Sequence, residues 1–159
     1  MILGLIVALL VVVVDQASKI YMMNVVLSDT DVIDVLPFFS LVKAWNTGVS
    51  FSMFDGFGSI GVVVLSLVAI FIVAYLSWWL KTEKSKFIQV ALGFIIGGAI
   101  GNVIDRLRLG AVFDFLDFYI GENHWPAFNV ADSFICIGAG MIIFHSLLKN
   151  RSSAAGGDA

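Results

Sequence analysis

Four stretches of this chain are apolar over about the ~20 residues that a helix needs to cross a bilayer. Residues 57–80, "FGSIGVVVLSLVAIFIVAYLSWWL", and 87–104, "FIQVALGFIIGGAIGNVI", carry no charge at all. Residues 1–14 are apolar, are interrupted by Asp15 and Lys19, and resume with "IYMMNVV"; residues 126–148 are apolar apart from Asp132. The pattern predicts an all-α membrane protein of four transmembrane helices, at about 3–25, 57–80, 87–105 and 127–148, in one domain over residues 1–150. The first stretch lacks the basic start and A-x-A-like end of a cleaved signal peptide, so it counts as a helix. Between the first two spans, residues 31–55 alternate apolar and polar positions, which predicts short strands and an amphipathic stretch: a small β/amphipathic subdomain on the outer face. The small, polar tail at 151–159 is expected to be disordered.

Basic residues orient these spans. Lys81, Lys84 and Lys86 lie in the short link between spans two and three, and Lys149 and Arg151 follow span four. The excess of Lys and Arg on the cytoplasmic side of membrane proteins then puts both termini in the cytoplasm and residues 25–56 and 105–127 outside.

Composition agrees with the pattern. Mean hydropathy is +1.00 and 60% of the 159 residues are hydrophobic, above the share usual in soluble domains. The net charge of -3 is local to loops and sites, and no basic stripe suggests nucleic acid. Cys136 is the only cysteine, so a disulfide within the chain is ruled out; its setting, "FICIG", predicts a small buried hydrophobe. His124 and His145 stand 21 residues apart with no metal-binding spacing, and neither metal nor cofactor is expected.

The polar residues inside the spans carry the chemistry. An ionisable group within a bilayer costs several kcal/mol, so it marks a functional site by default. All of them gather toward the outer side: Asp15 and Lys19 in span one, Asn102 and Asp105 at the end of span three, Asn129 and Asp132 at the head of span four. Asp15 and Lys19 are four apart, on one helix face, as an ion pair. "NVIDR" and "NVADS" present similar Asn/Asp faces, and Arg106 is expected to pair with Asp105. The outer stretch "VFDFLDFY" adds Asp114 and Asp117, either of which can meet Asp132. Two adjacent carboxylates share one proton, and such a pair can activate water on one side and protonate a carbonyl oxygen on the other. A proton-coupled transporter also uses buried acids, but it needs a polar path across the membrane; span two offers only small residues and the inner half of span three only Gln89. A scaffold subunit would explain the spans and not the acids.

Five blocks, "DQASK" at 15–19, "NTGVSFS" at 46–52, "GNVIDR" at 101–106, "GAVFDFLDF" at 110–118 and "FNVADSFI" at 128–135, give the chain a resemblance to bacterial lipoprotein signal peptidase (signal peptidase II), a membrane aspartic protease. The resemblance spans about residues 10–148. It implies a catalytic pair of Asp114 and Asp132, supported by Asp15, Lys19, Asn46, Gly48, Asn102, Asp105, Arg106 and Asn129. Members of that family more often read N-x-G-A-A-F where Val49 and Ser50 stand here. The implied activity is cleavage of lipidated prolipoproteins before the diacylglyceryl-modified cysteine, without metal or cofactor. The implied partners are such substrates, membrane lipid and globomycin-type inhibitors. The implied setting is the bacterial cytoplasmic (inner) membrane, as a monomer with its active site toward the outer face.

Overall fold

The computed structural model describes residues 1–48 and 58–155, with the side chains of 58, 59 and 150–155 left aside. Four long helices have the length and composition of membrane spans. Helix α1 runs Ile2–Tyr21 and continues as one wide, π-helical turn, Met22–Val26; α2 is Gly58–Thr82, α3 Lys86–Leu109 and α4 Val130–Ala155. The expected spans are all present, each longer by a few residues at one or both ends, except that α4 starts three residues later than position 127. It also runs on to Ala155, past residue 151, where the disordered tail is expected to begin.

Helix α3 is the buried centre of the bundle. It takes that place through small residues, which in lipid let backbones approach where apolar burial gives no preference. Gly93, Gly97 and Gly101 recur every four residues and face α1: a Cβ at Gly93 would lie 2.6 Å from the Gly4 carbonyl oxygen, one at Gly97 2.6 Å from that of Ala8, and one at Gly101 would strike the Asp15 carboxylate. Gly98 and Gly138 do the same between α3 and α4, against the carbonyls of Ala131 and Ala91 at 2.5 and 2.6 Å. Helix α2 joins through Leu76 and Leu80, which cluster with Ala8, Ile88, Leu92 and Ile96. Many other apolar side chains of α1, α2 and α4, such as Leu9, Phe71 and Phe144, are exposed, as lipid-facing residues are.

Capping fixes both ends of α3. The Ser85 hydroxyl accepts the Ile88 N–H at 3.4 Å, and Gly110, at φ 74°, closes the helix in the left-handed conformation that glycine adopts without strain. The chain turns directly into a sheet of order β1-β2-β3-β4: Val32–Leu36, Phe39–Asn46, Val112–Ile120 and Asn123–His124, all antiparallel. Leu27, Phe113 and Phe115 form its buried apolar centre. The strand expectation for 31–55 is met by β1 and β2; the amphipathic remainder of that stretch, with Val49 and Ser50, lies outside the described residues. After β4, Phe128 bonds back to β3, accepting from the N–H groups of Phe115 and Leu116 at 3.1 and 2.9 Å and donating to the Leu116 carbonyl at 3.0 Å. That clasp delivers the first turn of α4 to the start of β3.

Candidate active site

Three helix ends and one strand converge: the C-terminal ends of α1 and α3, the N-terminal end of α4, and β3. Asn129 precedes the first residue of α4 and caps it. Its Oδ1 accepts the Asp132 N–H at 3.0 Å, while the Asp132 carboxylate accepts the Asn129 N–H at 3.2 Å, a reciprocal capping box. The three-residue spacing in "NVAD" thus has a local use, and it leaves the amide nitrogen of Asn129 free to turn inward. That nitrogen donates to Asp114 Oδ1 at 2.6 Å and to Asn102 Oδ1 at 3.1 Å.

The two Asn/Asp faces are not equivalent. Asn102 Nδ2 donates to Asp132 Oδ1 at 2.8 Å, across helices, and not to its own neighbour Asp105. Asp105 instead joins Lys19 at 2.8 Å, and Lys19 also meets Asp15 at 3.0 Å and the Asn102 side-chain carbonyl at 3.1 Å. All three ammonium hydrogens therefore have acceptors. Asp105 further accepts the Phe113 N–H at 3.2 Å, which ties α3 to β3, and Asp15 accepts the Ala131 N–H at 3.0 Å, which ties α1 to α4. The expected Asp15–Lys19 pair is present. The expected Arg106–Asp105 pair is replaced, because Lys19 from α1 reaches Asp105 inside the bundle, whereas Arg106 turns to the cleft. There its Nη2 lies 3.5 Å from the Gly48 carbonyl, and its buried Nε has no hydrogen-bond partner among the described residues.

Asp114 sits on β3 beside Ala44 of β2 and is 2% exposed. Asn46 donates to its Oδ2 at 3.1 Å. Burial, then the nearby Asp132 carboxylate, push the Asp114 carboxyl up to about 7, against the pull of Asn46, Asn129 and Lys19. Asp117, three residues along a regular strand, points to the opposite face, where it pairs with His124 at 2.8 Å. It is mostly buried, 7% exposed, and held by a histidine that spacing alone could not bring near it.

A cleft of about 610 Å³ opens at the junction, lined among others by Asn46, Asn102, Arg106, Trp125, Asp132 and Cys136. Asp132 thus faces the cleft, and Asp114 is linked to it through Asn46, which lines the cleft and donates to Asp114. Cys136 is exposed, contrary to the buried position expected of it: four residues after Asp132 it shares that face of α4, which borders the cleft and not the bundle centre. Gln16 is a participant that the polar spacing does not single out. Its amide nitrogen bridges Asp105 at 2.9 Å, Asp15 at 3.2 Å and the Gly101 carbonyl at 3.2 Å; the available signal is an amide within an apolar span. Among the described residues no three His, Cys, Asp or Glu side chains converge as metal ligands.

Comparison with known proteins places this junction in context. The family model for signal peptidase (SPase) II matches residues 7–148. A lipoprotein signal peptidase of Anaplasma phagocytophilum is 42% identical over 152 residues, 95% of each chain. Another, from Rhodopseudomonas palustris, is 42% identical over 152 residues, 92% of each. A bacterial membrane enzyme solved by the in meso method at 2.3 Å resolution superposes with a TM-score of 0.80 at 31% identity, covering 98% of this chain and 93% of that one. With the match spanning all four helices and the sheet between them, the chain belongs to the signal peptidase II family of aspartic-type peptidases.

Proposed function

We infer that this protein removes signal peptides from prolipoproteins, cutting before a cysteine that already carries a diacylglyceryl thioether, with Asp114 and Asp132 as the catalytic pair. The observation that carries this reading is the meeting of these two aspartates, through Asn102 and Asn129, at one end of a four-helix membrane bundle beside an open cleft. The relatives' shared name supports the prolipoprotein substrate. The lipidated substrate also fits physically: an acylated peptide is confined to the membrane boundary, and the apolar faces of the spans accept acyl chains laterally. Positive charge in the α2–α3 link supports an orientation with the cleft on the outer face and both termini in the cytoplasm.

The chemistry is general acid–base hydrolysis. A pair sharing one proton presents an ionised carboxylate to a water and an acid to the scissile carbonyl. The carboxylate takes a proton from the water as its oxygen bonds the carbonyl carbon, while the acid protonates the carbonyl oxygen. The tetrahedral intermediate then collapses: the amide nitrogen receives a proton, the C–N bond breaks and the signal peptide leaves with the new carboxyl. Low exposure around the pair strengthens each of these charge interactions.

The test is to incubate the purified protein with a synthetic prolipoprotein peptide bearing the diacylglyceryl cysteine, beside the same peptide unmodified. A single cut before the modified cysteine is expected, with the unmodified peptide intact. Equal cutting of both, or of neither, would overturn the assigned substrate.

A further inference from the structure

Resting on the catalytic pair just assigned, the hydrogen-bond network carries a division of labour within it. Side-chain amides donate to each aspartate: Asn102 to Asp132, and Asn129 and Asn46 to Asp114. Neither Asn102 nor Asn129 is free to flip. Asn129 Oδ1 is held by the Asp132 N–H. Asn102 Oδ1 accepts from both Lys19 and Asn129, so a flipped Asn102 would set its NH₂ group against an ammonium and a second NH₂. Lys19 is itself fixed by Asp15 and Asp105 and is almost wholly buried. A cation in α1 thus determines which group of Asn102 meets Asp132 in α4.

The surroundings of the two acids differ. Asp132 lies in the first turn of α4, where the backbone dipole favours an anion; it accepts a backbone N–H as well as an amide N–H, and it lines the cleft. Asp114 lies on a strand, joined to the cleft edge through Asn46, and among the described residues it accepts from side-chain amides. Among the described residues, the other charged groups around the pair are Asp15 and Lys19 from α1 and Asp105 and Arg106 from α3; β2 contributes the uncharged Asn46.

We propose that Lys19 is a positioning residue which, through Asn102, holds Asp132 as the ionised base, leaving Asp114 to carry the shared proton as the acid. Lys19 touches neither substrate nor water in this role. It acts by fixing the donor, because Asn102 Oδ1 accepts from Lys19 while Asn102 Nδ2 donates to Asp132.

The test is the pH dependence of kcat and KM on the lipidated peptide for Lys19→Met, Lys19→Arg and Asn102→Ala. The pair titrates as a unit, and the two limbs of a bell-shaped profile report its two macroscopic steps. Removing the donor or the cation disfavours the ionised base, so the acid limb moves to higher pH by about one unit in Lys19→Met and Asn102→Ala. A fall in kcat of about 10- to 100-fold accompanies it, with KM nearly constant. Lys19→Arg restores the position of the acid limb. If Lys19→Met does not fold, Asn102→Ala, which leaves the Lys19 charge pairs intact, decides alone. An unmoved acid limb with a shifted alkaline limb would make Asp114 the base. Lower activity with neither limb moved would reduce Lys19 to a structural role. Substantial cleavage by Asp114→Asn or Asp132→Asn would instead defeat the catalytic pair itself, a distinct outcome.

Discussion

Gly101→Ala is expected to damage this protein although it adds one methyl group. The new Cβ would strike Asp15 Oδ2 and lie 3.1 Å from Asp15 Cγ. Asp15 has no room to yield: it is fully buried, and Lys19, Gln16 and the Ala131 N–H hold it at 3.0, 3.2 and 3.0 Å. Overpacking a rigid interior costs ~1–3 kcal/mol. Displacing Asp15 also breaks the two contacts to the struck oxygen, and a buried ion that loses its partner entirely costs ~3–5 kcal/mol. Because Lys19 keeps Asp105, only part of that second cost applies, and the sum is about 2–4 kcal/mol. At ~2–4 °C per kcal/mol for a chain of this size, the melting temperature in detergent should fall by roughly 5–15 °C. Gly140→Ala is the internal control. Nothing lies within 4 Å of its Cβ, so the same substitution in α4 should be neutral or raise stability by up to ~1 kcal/mol. Equal melting temperatures for Gly101→Ala and wild type would refute the close packing of α1 on α3 at Asp15.

Other outcomes follow from the charges. The Asp114 carboxyl is raised to about 7 from an unfolded value near ~3.9, so the folded state binds more protons than the unfolded state between those values. Stability should therefore fall as pH rises from about 4 to 7 and level off above; Asp114→Asn should flatten that slope, read from melting temperature against pH, and a slope unchanged in the variant would contradict the assignment. Asp15→Ala should lower the melting temperature, because Lys19 keeps only Asp105 as a charged partner and the Ala131 N–H loses its acceptor. Arg106→Ala should cut cleavage far more than it lowers the melting temperature, since Arg106 borders the cleft and Asp105 is paired with Lys19 instead; the reverse ranking would place Arg106 among the structural charges.

What is legible in the sequence follows the physics of each signal. Span positions can be read because an uncharged apolar run of bilayer length matches the thickness of a membrane core and little else in a protein. The gathering of Asp15, Asn102, Asp105, Asn129 and Asp132 at one end can be read from their positions along spans whose direction the flanking Lys and Arg residues set. Partner choice cannot. Arg106 neighbours Asp105 in sequence, yet the bundle gives Asp105 to Lys19, a choice that depends on how closely Gly97 and Gly101 let α1 approach α3. Gln16 gives only the weak signal of an amide within an apolar span, because two of its partners, Gly101 and Asp105, come from α3. The placement of Asp114 over Asp117 is open on spacing, since a helix would put both on one face. The regular strand β3 separates them, and its pairing with Phe128 turns the Asp114 side toward α4. Cys136 departs from its expected burial because an apolar environment in lipid does not distinguish the bundle interior from its outer surface.

The central claim is that Asp114 and Asp132 form the working pair while Asp117, a second aspartate three residues from Asp114, stands outside it. The most direct measurement is the cleavage rate of the lipidated prolipoprotein peptide by Asp114→Asn, Asp132→Asn and Asp117→Asn, at matched amounts of folded protein. Asp114→Asn and Asp132→Asn should each lose at least about 10²-fold in rate, the scale of positioned acid–base catalysis. Asp117→Asn, on the far face of β3 and bonded to His124, should keep most of its rate. An active Asp114→Asn beside an inactive Asp117→Asn would contradict the account at its core.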